Sequence, residues 1–131
     1  MRRITTKAHA AIDYVMALTL IIVPLFFLED GGAAAWVPLI IGCVILLQSL
    51  ITDYEYSAAN LLPVPLHLGM DAVVGILLIA SPWIWGFDER VWIPHVVAGV
   101  LEIGTAAMTK YHRSEPAKYP NPSTAKAKPA H

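Results

Sequence analysis

The chain has 131 residues, 56% of them hydrophobic and only 15% charged, with a formal net charge of −1. A soluble domain carries roughly 25% charged residues, so the composition excludes an ordinary water-soluble domain. The basic residues form two flanking groups rather than a folded basic face, which excludes a nucleic-acid surface, and a single cysteine excludes an intrachain disulfide.

Charge is also unevenly placed. Residues 14–28 and 31–52 contain none, 56–87 contain only Asp71, and 91–109 contain only Glu102. A bilayer core takes about 20 helical residues at about 1.5 Å each. These runs predict four spanning helices at about 8–28, 34–55, 64–85 and 91–110. Stretches such as Val44-Ile45-Leu46-Leu47 and Ile76-Leu77-Leu78-Ile79-Ala80 are apolar on every side, unlike the helices of a soluble bundle.

The first helix follows a basic start (Arg2, Arg3, Lys7) and leads to Ala33-Ala34-Ala35, the outline of a cleavable signal. Asp13 at the edge of its apolar run, and its match to a later helix, make it a mature spanning helix instead. Glu29-Asp30-Gly31-Gly32 is a short connection, so the second helix returns antiparallel. Cys43 within it reads as an inert buried thiol. After the loop around Asp53-Tyr54-Glu55-Tyr56 comes the third helix, then Gly86-Phe87-Asp88-Glu89, then the fourth helix, whose His95, Gly99 and Glu102 share a face. Residues 113–131 are rich in Pro, Lys, Ala and Ser without an apolar period and read as a disordered cytoplasmic tail.

Basic residues set the expected orientation. Arg2, Arg3 and Lys7 lie at one end of the chain and Lys110, Arg113, Lys118, Lys126 and Lys128 at the other, whereas the two outer loops carry only Arg90. Both termini are therefore expected in the cytoplasm. Trp36, Trp83, Trp85 and Trp92 fall at the outer boundary and Tyr54, Tyr56 and Tyr111 at the inner one, as interface anchors.

The chain also repeats itself. His9-Ala10-Ala11-Ile12-Asp13 recurs as His67-Leu68-Gly69-Met70-Asp71, Pro24 recurs as Pro82, and Trp36-Val37-Pro38 recurs as Trp92-Ile93-Pro94 with a two-residue slip. Ser81-Pro82-Trp83, with His67 and Asp71 upstream and Trp92 and Pro94 after, resembles the SPW-repeat family of small bacterial membrane proteins, over about residues 5–112. The first repeat keeps only the proline, in Val23-Pro24-Leu25. The resemblance implies a pair of membrane helices per repeat and carries no activity.

Two hairpins in tandem are expected to share one orientation, related by a pseudo-two-fold axis along the membrane normal. His9, Asp13, Ala17 and Pro24 form one stripe, and His67, Asp71, Gly75 and Pro82 the other. The stripes are expected to face each other. Each proline leaves a carbonyl one turn earlier (Leu20, Leu78) unpaired, and Ser81 is placed to donate a hydrogen bond locally.

Three readings of these polar groups follow. In the structural one, His–Asp pairs at shallow, water-reachable depth pin helices together. In the second, His9 and His67 ligate a haem iron, or two His and two Asp hold a divalent metal. In the third, Glu102 near mid-membrane, either protonated or hydrogen-bonded to a polar residue such as Gln48 or Thr105, and matched to Leu46 in the first repeat, relays protons or cations in an oligomer. No nucleophile elbow, phosphate loop or paired-Cys motif points to an enzyme.

The reading of the sequence is an all-α, four-transmembrane-helix bundle of two tandem, parallel-oriented two-helix repeats in the bacterial cytoplasmic membrane. The membrane domain covers 1–112, with repeat one about 5–55 and repeat two about 63–112. No catalytic residue and no resident cofactor are expected. Its partners are the lipid bilayer and, through helix faces, a second copy or another membrane protein.

Overall fold

The computed structural model describes residues 4–26 and 28–111. The expected tail over 113–131, and Arg2 and Arg3, lie outside the described residues. The order is α1 (Thr6–Leu25), a short α2 (Leu28–Gly31), α3 (Ala33–Ile51), α4 (Val64–Ile84) and α5 (Ile93–Met108), and there is no strand among the described residues. Thr5 caps α1 by accepting from the Ala8 N–H at 3.1 Å.

The all-α bundle is as expected, but its helices are shorter. α1, α3 and α4 are long and apolar enough to cross a membrane, whereas α5 has 16 residues, about 24 Å against a hydrocarbon core of about 30 Å. Trp92 and Pro94 fix its start, and Thr109 turns extended at its end. α3 stops at Ile51 for the same reason, because Thr52 is extended. The connection read as Glu29 to Gly32 is partly helical, as α2.

α1 packs along α3, and α4 along α5, giving two hairpins. The hairpins meet chiefly through α3 and α4, with a smaller contact between α1 and α5. Ala17, Leu20, Ile41, Ile45, Val74, Leu78 and Ala98 form the shared core. Large apolar side chains such as Val15, Leu18, Ile40, Leu47, Val73, Ile76 and Val100 point outward, the surface a helix presents to lipid.

Within each hairpin, small residues set the helix spacing. A Cβ on Gly99 would lie 2.4 Å from the Gly75 carbonyl oxygen, and one on Gly42 would lie 2.9 Å from that of Ala17. The small members of the two stripes therefore serve contacts inside their own hairpins rather than across the axis. Gly42 and Gly99 occupy matching places 57 residues apart. The second helix of each hairpin thus follows an offset of 57, not the 56 of the Trp-x-Pro match, because Pro38 lies a turn inside α3 while Pro94 begins α5. In that register the counterpart of Glu102 is Ile45, fully buried, and not Leu46.

Pro24 and Pro82 lie inside α1 and α4. Ser81 Oγ donates to the Leu78 carbonyl at 2.8 Å, the acceptor that Pro82 leaves without an N–H. The matching position in α1 is Val23, half exposed and unable to donate. The serine of Ser-Pro-Trp thus repairs a proline break inside the protein. Trp83 points outward, with its ring 6.3 Å from that of Trp92.

Candidate functional site: a buried His–Asp quartet

α1 and α4 each begin with a His and an Asp four residues apart, on the face turned to the other hairpin. The structure brings all four together. His9, Asp13, His67 and Asp71 are fully buried, and each offers an atom within 4.8 Å of the others. The shorter bonds cross between hairpins: His9 Nε2 lies 2.9 Å from Asp71 Oδ2, and His67 Nε2 lies 2.9 Å from Asp13 Oδ2. The separations within each helix are 3.3 Å for His9–Asp13 and 3.1 Å for His67–Asp71. The two pairs foreseen in the sequence are therefore one interlocked quartet.

The other ring nitrogens are also tied across the hairpins. Thr109 Oγ1 lies 2.8 Å from His9 Nδ1, and Thr52 Oγ1 lies 2.7 Å from His67 Nδ1. Each threonine spends its own proton on the carbonyl four residues earlier, Thr109 on Thr105 at 2.6 Å and Thr52 on Gln48 at 2.5 Å. The hydroxyl oxygen must then accept, so Nδ1 carries the hydrogen in both histidines. In a neutral ring each Nε2 then presents its lone pair to the carboxylates. Gln48 Nε2 donates to Asp71 Oδ1, and Ser49 Oγ donates to Asp13 Oδ2 at 3.2 Å.

The quartet is closed off from the surface, with all four side chains at zero exposure, contrary to the expectation of a water-reachable site. Backbone bonds close this end of the bundle. Ile4 bonds Met108 and Lys110, and Leu62 bonds Ile51 and Asp53, the same pattern at offsets of 57 and 58. The loop after α3 folds over the top. Its Tyr54 ring lies 4.9 Å from that of His67 and 5.9 Å from that of His9. Glu55 accepts from Thr6, and the Tyr56 carbonyl accepts from the Tyr14 hydroxyl at 2.9 Å. Tyr54, expected as an interface anchor, is instead a buried cover. Burial, and then the charges of Asp13 and Asp71, push its phenol above the ordinary tyrosine range.

The other polar groups are placed differently from expectation. Glu102 is buried on α5 with its Cβ against Gly75, one turn beyond Asp71. Gln48 serves Asp71, and Thr105 donates to the Glu102 backbone carbonyl at 3.0 Å. Neither carboxyl oxygen of Glu102 has a hydrogen-bond partner among the described residues. His95 Nε2 donates to the Ala34 carbonyl at 3.0 Å, and its Nδ1 has no hydrogen-bond partner among the described residues. Cys43, read as a buried thiol, is exposed on the outer face of α3. Trp36, Trp83, Trp85 and Trp92 all project outward, as interface anchors do.

An apolar groove of about 950 Å³ runs between α1 and α5, from Ala11 and Leu101 to Pro24 and Arg90. It is the place where the hairpins fail to close.

Gln48, Ser49, Thr52, Thr109 and the covering Tyr54 complete the site, and sequence reasoning had not placed them there. A signal was present: Thr52 and Thr109, like Tyr54 and Tyr111, stand 57 residues apart.

A model of the SPW repeat domain matches residues 7–109. No curated protein and no solved structure matches the chain.

Proposed function

The chain belongs to the SPW repeat domain family, and on that premise we propose a non-enzymatic module of the bacterial cytoplasmic membrane, built from two repeated helical hairpins. The His9–Asp13–His67–Asp71 quartet holds the hairpins together near the cytoplasmic surface. The outer faces scaffold or modulate a partner membrane protein or a second copy. The apolar helix surfaces support the membrane location. The basic residues on both sides of residues 8–109 support cytoplasmic termini, with α5 as a short fourth span.

One observation carries the reading: the two shortest contacts of the quartet both cross from one hairpin to the other, and all four side chains are fully buried. Breaking a buried ion pair by removing one partner costs roughly 3–5 kcal/mol. The His9→Ala/His67→Ala variant is expected to unfold at far lower SDS fraction in mixed micelles. An unchanged midpoint would overturn the pinning role.

A second reading has its own observation, the buried Glu102 carboxyl, which has no hydrogen-bond partner among the described residues. An intramembrane ionisable group of this kind serves ion or proton pathways in other proteins. In that reading an oligomer moves protons or a proton-linked solute, and Glu102→Gln abolishes flux in proteoliposomes while preserving the fold. A variant with undiminished flux would refute it.

A further inference from the structure

The quartet contains more acceptors than donors. Both imidazoles give their Nδ1 hydrogens to threonine oxygens that have already committed their own protons. With both rings neutral, two Nε2 lone pairs and two carboxylates converge on one buried point, and Asp13 Oδ1 has no hydrogen-bond partner among the described residues. Two carboxylate charges in a buried site require two positive charges nearby.

We propose that the quartet is a binding site for one divalent first-row transition metal, of which Zn²⁺ is the representative, with His9 Nε2, His67 Nε2, Asp13 and Asp71 as ligands. The chemistry fits on four counts. Two imidazoles and two carboxylates make a four-ligand set of borderline softness, suited to Zn²⁺ rather than to Mg²⁺ or Ca²⁺, which take six or more oxygens. A divalent ion balances the two carboxylates, so the filled site is neutral. A metal-bound histidine almost always donates its second nitrogen to an acceptor, the role Thr52 and Thr109 already fill, while Gln48 and Ser49 hold the carboxylates.

The last count is size. Ligands about 2.1 Å from a tetrahedral ion stand about 3.4 Å apart. The four neighbouring N–O separations run from 2.9 to 3.3 Å, with Asp13 presenting Oδ1 to His9 and Oδ2 to His67, each within about 0.1–0.5 Å of that spacing. A porphyrin does not fit the same space: Asp71 Oδ2 lies within 3.1 Å of both Nε2 atoms, where an iron shared by axial imidazoles would sit.

The site rests on the pinning quartet but not on any partner. The test uses the full chain in mild detergent, stripped with a chelator, dialysed against Zn²⁺ or Mg²⁺ and then against metal-free buffer. Elemental analysis is expected to find one zinc per chain and no magnesium, unchanged in Cys43→Ser/His112→Ala/His131→Ala and lost in Asp13→Asn/Asp71→Asn. Thr52→Val/Thr109→Val is expected to weaken retention about 10–100-fold. Co²⁺ replacing Zn²⁺ in the unaltered chain is expected to give the intense visible bands of a tetrahedral ion, which decides the matter even if the asparagine variant does not fold. A folded chain that retains only substoichiometric zinc, or zinc retained by the asparagine variant, overturns the metal site. In the first case two protons supply the balancing charge, and the pinning role stands.

Discussion

Placing a methyl group on Gly99 tests the hairpin geometry most directly. Its Cβ would meet the Gly75 carbonyl oxygen at 2.4 Å, the Ile79 Cγ1 at 2.7 Å and the Ile79 backbone nitrogen at 3.0 Å. Two of these are backbone atoms, so no rotamer change relieves them and α5 must move off α4 by about 0.6 Å or more. Overpacking of this kind costs roughly 1–3 kcal/mol, the upper end applying where backbone must shift. The glycine-to-alanine gain in helix propensity offsets about 1 kcal/mol. Gly99→Ala is therefore expected to lose about 2 kcal/mol. Gly104→Ala, on the same helix with nothing within 4 Å of its Cβ, keeps the propensity gain and is expected to be stabilised by up to about 1 kcal/mol. The assay is SDS titration in mixed micelles followed by circular dichroism. If Gly99→Ala matches or exceeds Gly104→Ala in stability, the close approach of α4 and α5 is wrong.

Further expectations follow from single contacts. Ser81→Ala strands the Leu78 carbonyl and is expected to cost about 0.6–1 kcal/mol by the same titration; Ser81→Thr, which keeps the hydroxyl, is expected to recover most of it. Tyr54→Phe removes a buried hydroxyl that has no partner among the described residues, so stability at pH 7 should stay within about 0.5 kcal/mol. The raised phenol makes the folded chain hold its proton more tightly than the unfolded one above pH 10. Stability present below pH 10 is therefore lost as pH rises beyond it, and Tyr54→Phe should flatten that alkaline loss in thermal melts. Glu102→Leu replaces a carboxyl without partners by the kind of side chain found at Ile45, and should raise stability by about 1–3 kcal/mol. A lower midpoint would show that the carboxyl is satisfied.

Much of this architecture was legible in the residues. The uncharged runs located the long helices, and the His-x3-Asp repeat located the quartet, because both are spacing signals that survive without a structure. What escaped has physical reasons. The helix ends were placed too far out because apolar composition does not register Thr52 and Thr109, which leave the helix to bond an imidazole. The crosswise pairing escaped because an i, i+4 spacing is equally good for a bond within a helix. The place of Tyr54 at a boundary in the sequence predicts an anchor, and only the fold of its loop turns it over the histidines. The Trp-x-Pro match misled the register of the second helices by one residue, since those prolines mark a helix start and not a packing position.

The crosswise quartet also says something about descent. Each hairpin supplies one His, one Asp and one Thr, and each needs the Asp, His and Thr of the other. Such complementarity is isologous: two identical hairpins, meeting about a two-fold axis, would satisfy each other in the same way. A single hairpin that paired with its own copy would thus have possessed this buried centre before the halves were joined. Within one chain the halves are free to differ, and they do: Val23 stands where the second half has Ser81, and Ile45 where it has Glu102.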